Sequence, residues 1–393
     1  MFLLAVYPVL WIYKSPIVLS YGDWFLVLLS LFVIVTQKAV TAPKYLFLLW
    51  AYIALNLILL SHQYFKATYL IPGGVAFFSF AVVAWAYPRV FDLKLFRKYF
   101  KVFAVLSIAV FLLQEIQYFL TGYRFSALLP MGESMDAISI TELIQEHHHD
   151  IRSSSLFREP SHFATYIITF LLLELFDGKR NGRFLPGMSA FAIIVLLLTR
   201  SGTAIIALVF ALILKMFFYS KASKKNKVVL WGILMPLFAI VAYVWMQSQT
   251  GQGMISRYEE FSSVGGVSGY VRVIKGYMVY AVLPTINKIF GINQDVFMDI
   301  EASLDGAFFI TGDKGGDVYM NGFTSILCWT GAVGMALYLL FYGAIFKKGD
   351  ELGKSAVLML LVISLVTDNY LSTTMIYLTL IAICSSKKMQ IAK

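Results

Sequence analysis

Five arginines, Arg152, Arg158, Arg200, Arg257 and Arg272, fall on stretches that border strongly apolar runs. A guanidinium in such a place never deprotonates and can grip two phosphate oxygens at once. It can also snorkel to lipid headgroups or pair with a nearby carboxylate. Arg200 is the sharpest case, in the hairpin Leu198-Thr199-Arg200-Ser201-Gly202-Thr203 between two apolar runs. The stretch from Arg152 to Phe163 adds groups that can move a proton. Its core reads Phe157-Arg158-Glu159-Pro160-Ser161-His162. Pro160 suits the first turn of a helix, where its missing N–H is not needed. Glu159 then stands at the helix start, where the dipole favours an anion. Glu159 and His162 are three residues apart, so both can face one site. A carboxylate or an imidazole there can take a proton from an acceptor hydroxyl. The plainer alternative is a helix cap with a structural Arg158–Glu159 pair.

The elements that must position these groups follow from composition. Of 393 residues, 59% are hydrophobic and 14% charged, whereas soluble domains carry about 25% charged residues. Mean hydropathy is +0.76, which predicts that lipid is much of the solvent. Only helices and closed barrels span lipid, because every backbone polar group needs an internal partner. Barrel strands alternate apolar and polar residues. Here the runs 102–113 and 184–198 are continuously apolar, so the expected class is an all-α polytopic membrane protein. Twelve spans are predicted, near 1–13, 21–36, 45–60, 70–86, 101–120, 161–176, 184–199, 203–219, 228–246, 323–345, 355–367 and 370–384. They form one transmembrane domain over 1–393. The first reads as a retained span and not as a cleaved signal peptide.

The net charge of +10 has its source in the positive-inside rule, so no nucleic-acid partner is expected. Short loops carrying Lys44, Arg97, Lys101, Arg180, Lys224, Lys347, Lys354 and the tail lysines all fall on one side. That side is the cytoplasm, with both termini inside. The other side receives two long loops, 121–160 and 247–322, expected to contain short helices. A third, very short turn on that side carries Arg200, so all five arginines lie on the outer side, against the rule, and are therefore the informative cations. Cys328 and Cys384 fall near opposite faces, so no disulfide is expected.

Arg158-Glu159-Pro160-Ser161-His162-Phe163-Ala164, opening a span after an outer loop, resembles the E-P-S segment of O-antigen polymerases (the Wzy class). The Arg200-Ser201-Gly202-Thr203 turn resembles the Ser/Arg/Gly turn shared by polymerases and O-antigen ligases. Ser268-Gly269-Tyr270-Val271-Arg272 resembles the superfamily's conserved-arginine segment, and Ile289-Phe290-Gly291-Ile292 its "loose Gly" motif. Asn321-Gly322-Phe323, followed by Gly331-Ala332-Val333-Gly334, resembles the helix that returns to the membrane. The resemblance covers residues 152–334, in matching order. It implies a glycosyltransferase of the bacterial cytoplasmic membrane that uses no metal or other cofactor. A growing glycan would leave undecaprenyl diphosphate for a sugar hydroxyl on another lipid-linked repeat unit, at the outer face. Arg200 and Arg272 would hold the diphosphate, with Arg158 in support. Arg152, Tyr270 and Asn321 would serve the acceptor or the structure. Glu159 and His162 are the candidate bases. Partners implied are undecaprenyl-diphosphate-linked oligosaccharides, membrane lipid and a chain-length regulator protein. Ligases carry a histidine just before the Asn321 position; here that residue is Met320, which disfavours a ligase.

Other patterns point less far. His147-His148-His149-Asp150 has a metal-ligand composition, yet adjacent side chains do not converge on one ion. Acids cluster over 295–317, including Asp299 and Glu301, and suit an acceptor-sugar surface or loop solubility better than a hard cation. Gly312-Asp313-Lys314-Gly315-Gly316 reads as a turn more than a phosphate cradle. The rivals are an O-antigen ligase, a flippase or transporter of lipid-linked oligosaccharide, and a membrane scaffold. The sequence shows no internal repeat, which counts against a two-repeat carrier.

Overall fold

The computed structural model describes residues 1–13, 20–36, 44–61, 80, 90–127, 152–157, 159–177, 185, 187–218, 275–292, 296–297, 299–300, 303, 320–367 and 372–385. The expected spans near 70–86, apart from Phe80, and 228–246 lie outside them. So do Arg158, Arg257, Tyr270, Arg272, the His147–His149 run and most of both long loops.

Among the described residues 83% are helical and none is in a strand. The helices are α1 (Phe2–Leu10), α2 (Tyr21–Thr36), α3 (Lys44–Ser61), α4 (Leu93–Thr121), α5 (Pro160–Leu175) and α6 (Ser189–Leu198). They continue with α7 (Gly202–Phe218), α8 (Gly276–Val282), α9 (Thr285–Phe290), α10 (Gly322–Lys348), α11 (Glu351–Val366) and α12 (Thr373–Cys384). Among the described residues two helices, α4 and α10, are long and apolar enough to cross a membrane. Several shorter apolar helices pack with them. Only 28% of the apolar window of α4 is buried, whereas the core helix of a soluble protein is mostly buried. Phe119 at 88% exposed and Val35 at 83% likewise face outward at positions that water would penalise. The helical class and its apolar exterior fit a membrane protein.

Boundaries differ from expectation where caps decide them. α4 begins at Leu93, eight residues before the expected 101. The Asp92 side chain accepts from the N–H groups of Lys94 and Leu95 there, satisfying donors that a helix start leaves unpaired. α6 is shorter than the expected 184–199, spanning Ser189–Leu198.

Charge segregates along the bundle. Arg97 meets Asp177 at 2.6 Å and Lys101 meets Glu174 at 3.5 Å, near the C-terminus of α5. Lys215 of α7, itself buried, donates to the carbonyl of Leu175 at 2.6 Å. That bond satisfies an acceptor that the helix end leaves open. These cations belong to the end expected to face the cytoplasm.

α10 is two helices joined at Gly331, where φ is 65° and ψ is −172°. The break leaves carbonyls without intrahelical partners, and α3 supplies them. Asn56 donates to the carbonyls of Trp329 and Phe290 at 2.9 and 2.8 Å. Tyr52 donates to that of Thr330 at 2.7 Å. Gly291, at φ 93°, brings the end of α9 against this break. A β-carbon on Gly291 would stand 2.6 Å from the Trp329 carbonyl oxygen. Those glycines are therefore a backbone-to-backbone packing joint.

Candidate active site

The start of α5 forms as its sequence predicts. Glu159 is extended at the N-cap and Pro160 occupies the first turn. The Glu159 carboxylate accepts from Ser161 Oγ at 2.9 Å. One turn of the same helix carries His162, whose ring meets that of Trp11 edge-on at 6.3 Å between centroids.

The segment leading into α5 is held by α4. Ser155 donates its N–H to Gln114 Oε1 at 2.8 Å and its hydroxyl to the Ser107 carbonyl at 2.6 Å. Ser153 donates to Glu115, which also receives Arg124 Nε at 3.4 Å. Arg124 in turn reaches Ser153 at 3.0 Å and stands 3.5 Å over the Tyr118 ring. Its side chain is 8% exposed, so this cation is committed to structure.

Arg152 and Arg200, far apart in sequence, are brought together. Arg152 Nη1 donates to the Arg200 carbonyl at 3.0 Å. Arg200 is in the left-handed region at φ 53°, where a β-carbon is unfavourable. Among the described residues the only other non-glycine with positive φ is Ser155, in the facing segment. Local strain of this kind gathers at functional sites. The Arg200 guanidinium is half-buried and has no ion-pair or hydrogen-bond partner among the described residues. It is thus a poised cation, unlike Arg124.

A cleft, partly open to solvent, lies beside this helix start. It joins the ends of α1, α5, α11 and α12. His162, Thr165 and Thr169 line it from α5, Trp11 from the end of α1, and Thr367, Thr373 and Thr374 from the α11–α12 junction. Tyr166 and Tyr377 complete the wall. Their hydroxyls donate to the α1 carbonyls of Ala5 and Leu4, which ties α1 to α5 and α12.

Asn321 is the N-cap of α10, fully buried, with Oδ1 accepting from Thr324 N at 2.9 Å. The neighbouring Gly322 N–H donates to the Thr367 carbonyl at 3.0 Å, so the cap is coupled to the cleft wall. Of its two expected roles, acceptor or structural, the structural one has a visible mechanism. Asn321→Ala is expected to lower stability by about 1 kcal/mol and Asn321→Ser by less, because serine retains a capping oxygen. Thermal unfolding in detergent checks this; an unchanged midpoint for the alanine variant rules the cap out as a stabilising contact. Met320, just before that cap, is buried in an apolar cluster with Val279, Leu283 and Cys328.

Gln114, Glu115 and Arg124 were not singled out in the sequence. Their signal was present: a polar pair inside an apolar run and a further arginine just past its outer end. Trp11 and the α11–α12 threonines carry no local signal at all. No protein-family model, curated protein or solved structure matches the chain.

Proposed function

We propose that the protein is a polytopic enzyme of the bacterial cytoplasmic membrane that polymerises lipid-linked oligosaccharide repeat units, in the manner of O-antigen polymerases. The observation that carries this is Arg200: half-buried, strained, unpaired among the described residues, and held through its carbonyl by Arg152. A cation kept in that condition suits a diphosphate.

The chemistry needs little else, because the donor is already activated. The acceptor hydroxyl oxygen forms a bond to C1 of the growing glycan's first sugar. The bond from C1 to the diphosphate oxygen breaks. The hydroxyl proton passes to Glu159 or His162, which open the same helix. Undecaprenyl diphosphate leaves carrying the electron pair, and Arg200, with Arg272 from the second long loop, stabilises the charge that develops. Positioning of two lipid-linked substrates supplies the rest. The cytoplasm then faces the Arg97, Lys101 and Lys215 end, with both termini there, and twelve spans complete the bundle.

A ligase is disfavoured by Met320, an apolar and buried residue with no proton to exchange. A transporter would use a broken helix to line its path. The break in α10 is instead filled by α3 and α9.

Purified protein incubated in EDTA with lipid-linked repeat units is expected to build a ladder of longer glycans, and Arg272→Ala to lose it. No ladder from wild type even with Mg²⁺ or Ca²⁺, together with passage of lipid-linked substrate across liposomes, would replace the polymerase with a transporter.

A further inference from the structure

The cleft beside α5 has a chemistry different from that of the arginines. No described residue lining it is Asp, Glu, Lys or Arg. Its polar groups are hydroxyls and one imidazole, set among aromatic and aliphatic walls. Most of the hydroxyls are already engaged: Thr165 with the His162 carbonyl, Thr169 with that of Thr165, and Tyr166 with that of Ala5. Thr367 and Thr374 differ. They are 7% and 9% exposed, they line the cleft, and their hydroxyls have no hydrogen-bond partner among the described residues. Neither oxygen is among the fully enclosed unpaired ones, so both hydroxyls stand at the cleft wall, open to a group that enters from outside.

The lining selects what that is. A diphosphate or an acidic sugar would be desolvated here without a cation to meet it. A lipid chain would leave the threonine hydroxyls unpaired. An uncharged sugar ring offers hydroxyls that both donate and accept, as threonine does. Its C–H faces can lie on rings such as Trp11. Pockets of mainly apolar wall with a few placed polar groups are the usual form of a small-molecule site.

We infer that this cleft is a subsite for an uncharged sugar ring of the incoming, acceptor repeat unit, held by Thr367, Thr374 and Trp11 beside His162. The identity of the ligand as an acceptor rests on the proposed polymerase function; the polar cleft does not. The arrangement divides the work, with the diphosphate at Arg200, which does not line the cleft, and the neutral sugar within it. His162 lines the sugar side.

The test uses oligosaccharide released from the lipid-linked repeat unit by mild acid, so that it carries neither lipid nor diphosphate. It is titrated into the full-length protein in nanodiscs while tryptophan fluorescence is read. Saturable quenching is expected, reduced in Trp11→Phe and undiminished in Arg200→Ala. In the double variant Thr367→Val/Thr374→Val the apparent Kd is expected to rise about tenfold, the loss of two neutral hydrogen bonds. The unfolding temperature of that variant should not fall, because the hydroxyls have no partner to lose among the described residues. Absence of saturable quenching in wild type, or binding by the double variant equal to wild type, overturns the site. If the oligosaccharide binds through the threonines yet wild type builds no ladder, the polymerase proposal fails and the sugar site stands. A ladder without threonine-dependent binding gives the reverse.

Discussion

Alanine at position 200 is expected to slow glycan elongation by about 10²–10³-fold, the usual consequence of removing one group that meets developing transition-state charge. The protein should remain folded. The guanidinium has no hydrogen-bond or ion-pair partner among the described residues, so its loss orphans nothing described. Among the described residues, the hydrogen bond made to Arg200 is accepted by its backbone carbonyl from Arg152, and alanine keeps that carbonyl. Alanine also keeps the β-carbon and hence the strained φ of 53°. Arg200→Gly relaxes that strain and is expected to gain up to about 1 kcal/mol of stability while losing the same activity. Equal loss in the two variants separates the guanidinium from the backbone conformation. Arg200→Lys keeps a charge but not the planar fork, and should recover part of the rate. The fall should appear in kcat more than in the donor KM, because the charge grows as diphosphate leaves. Initial rates of ladder growth measure all of this. An Arg200→Ala enzyme elongating within about threefold of wild type is far outside the expected loss and would move the diphosphate elsewhere.

What the sequence disclosed and what it hid separate along a physical line. The α5 start was legible because proline and a preceding acid carry local rules about helix termini, and the structure places Glu159 and Pro160 at the cap and the first turn. The Arg200 turn was legible because two apolar runs meet there with no room for a longer loop. The partner of Arg200 was not. Arg152 is joined to it by a bond across 48 positions, and no periodicity encodes that distance. The cleft was hidden for the same reason: Trp11 and Thr374 meet only after α1, α5, α11 and α12 are packed. Gln114 and Glu115 stood in plain view as polar residues within an apolar run. Their use, gripping Ser155 and Ser153, depends on how the first long loop returns to α4. The continuous apolar run after Asn321 concealed the break at Gly331, since hydropathy is blind to a single backbone dihedral.

That break yields the largest stability effect expected from one methyl group. Gly331→Ala should destabilise the protein by about 3 kcal/mol, within a range of about 2–5, since two penalties coincide. The first is conformational: φ 65° with ψ −172° is a region that β-carbons disfavour strongly. The second is steric, because the added carbon would fall inside contact distance of the Ile289 carbonyl and the Phe290 nitrogen. Those atoms are backbone of the α9 end and cannot rotate away. Nor can α10 straighten freely, because Asn56 and Tyr52 bind the carbonyls that the break exposes. Gly343 in the same helix provides the control. A β-carbon there meets nothing within 4 Å, so Gly343→Ala should be neutral or stabilising by up to about 1 kcal/mol. Thermal unfolding of both variants in one detergent compares the two signs directly. Equal midpoints would mean that α10 passes position 331 as an ordinary helix and that the joint with α9 does not exist. Opposite shifts would establish the joint. They would also explain why glycine is required on both sides of it, at Gly291 and at Gly331, where the two backbones meet without a side chain between them.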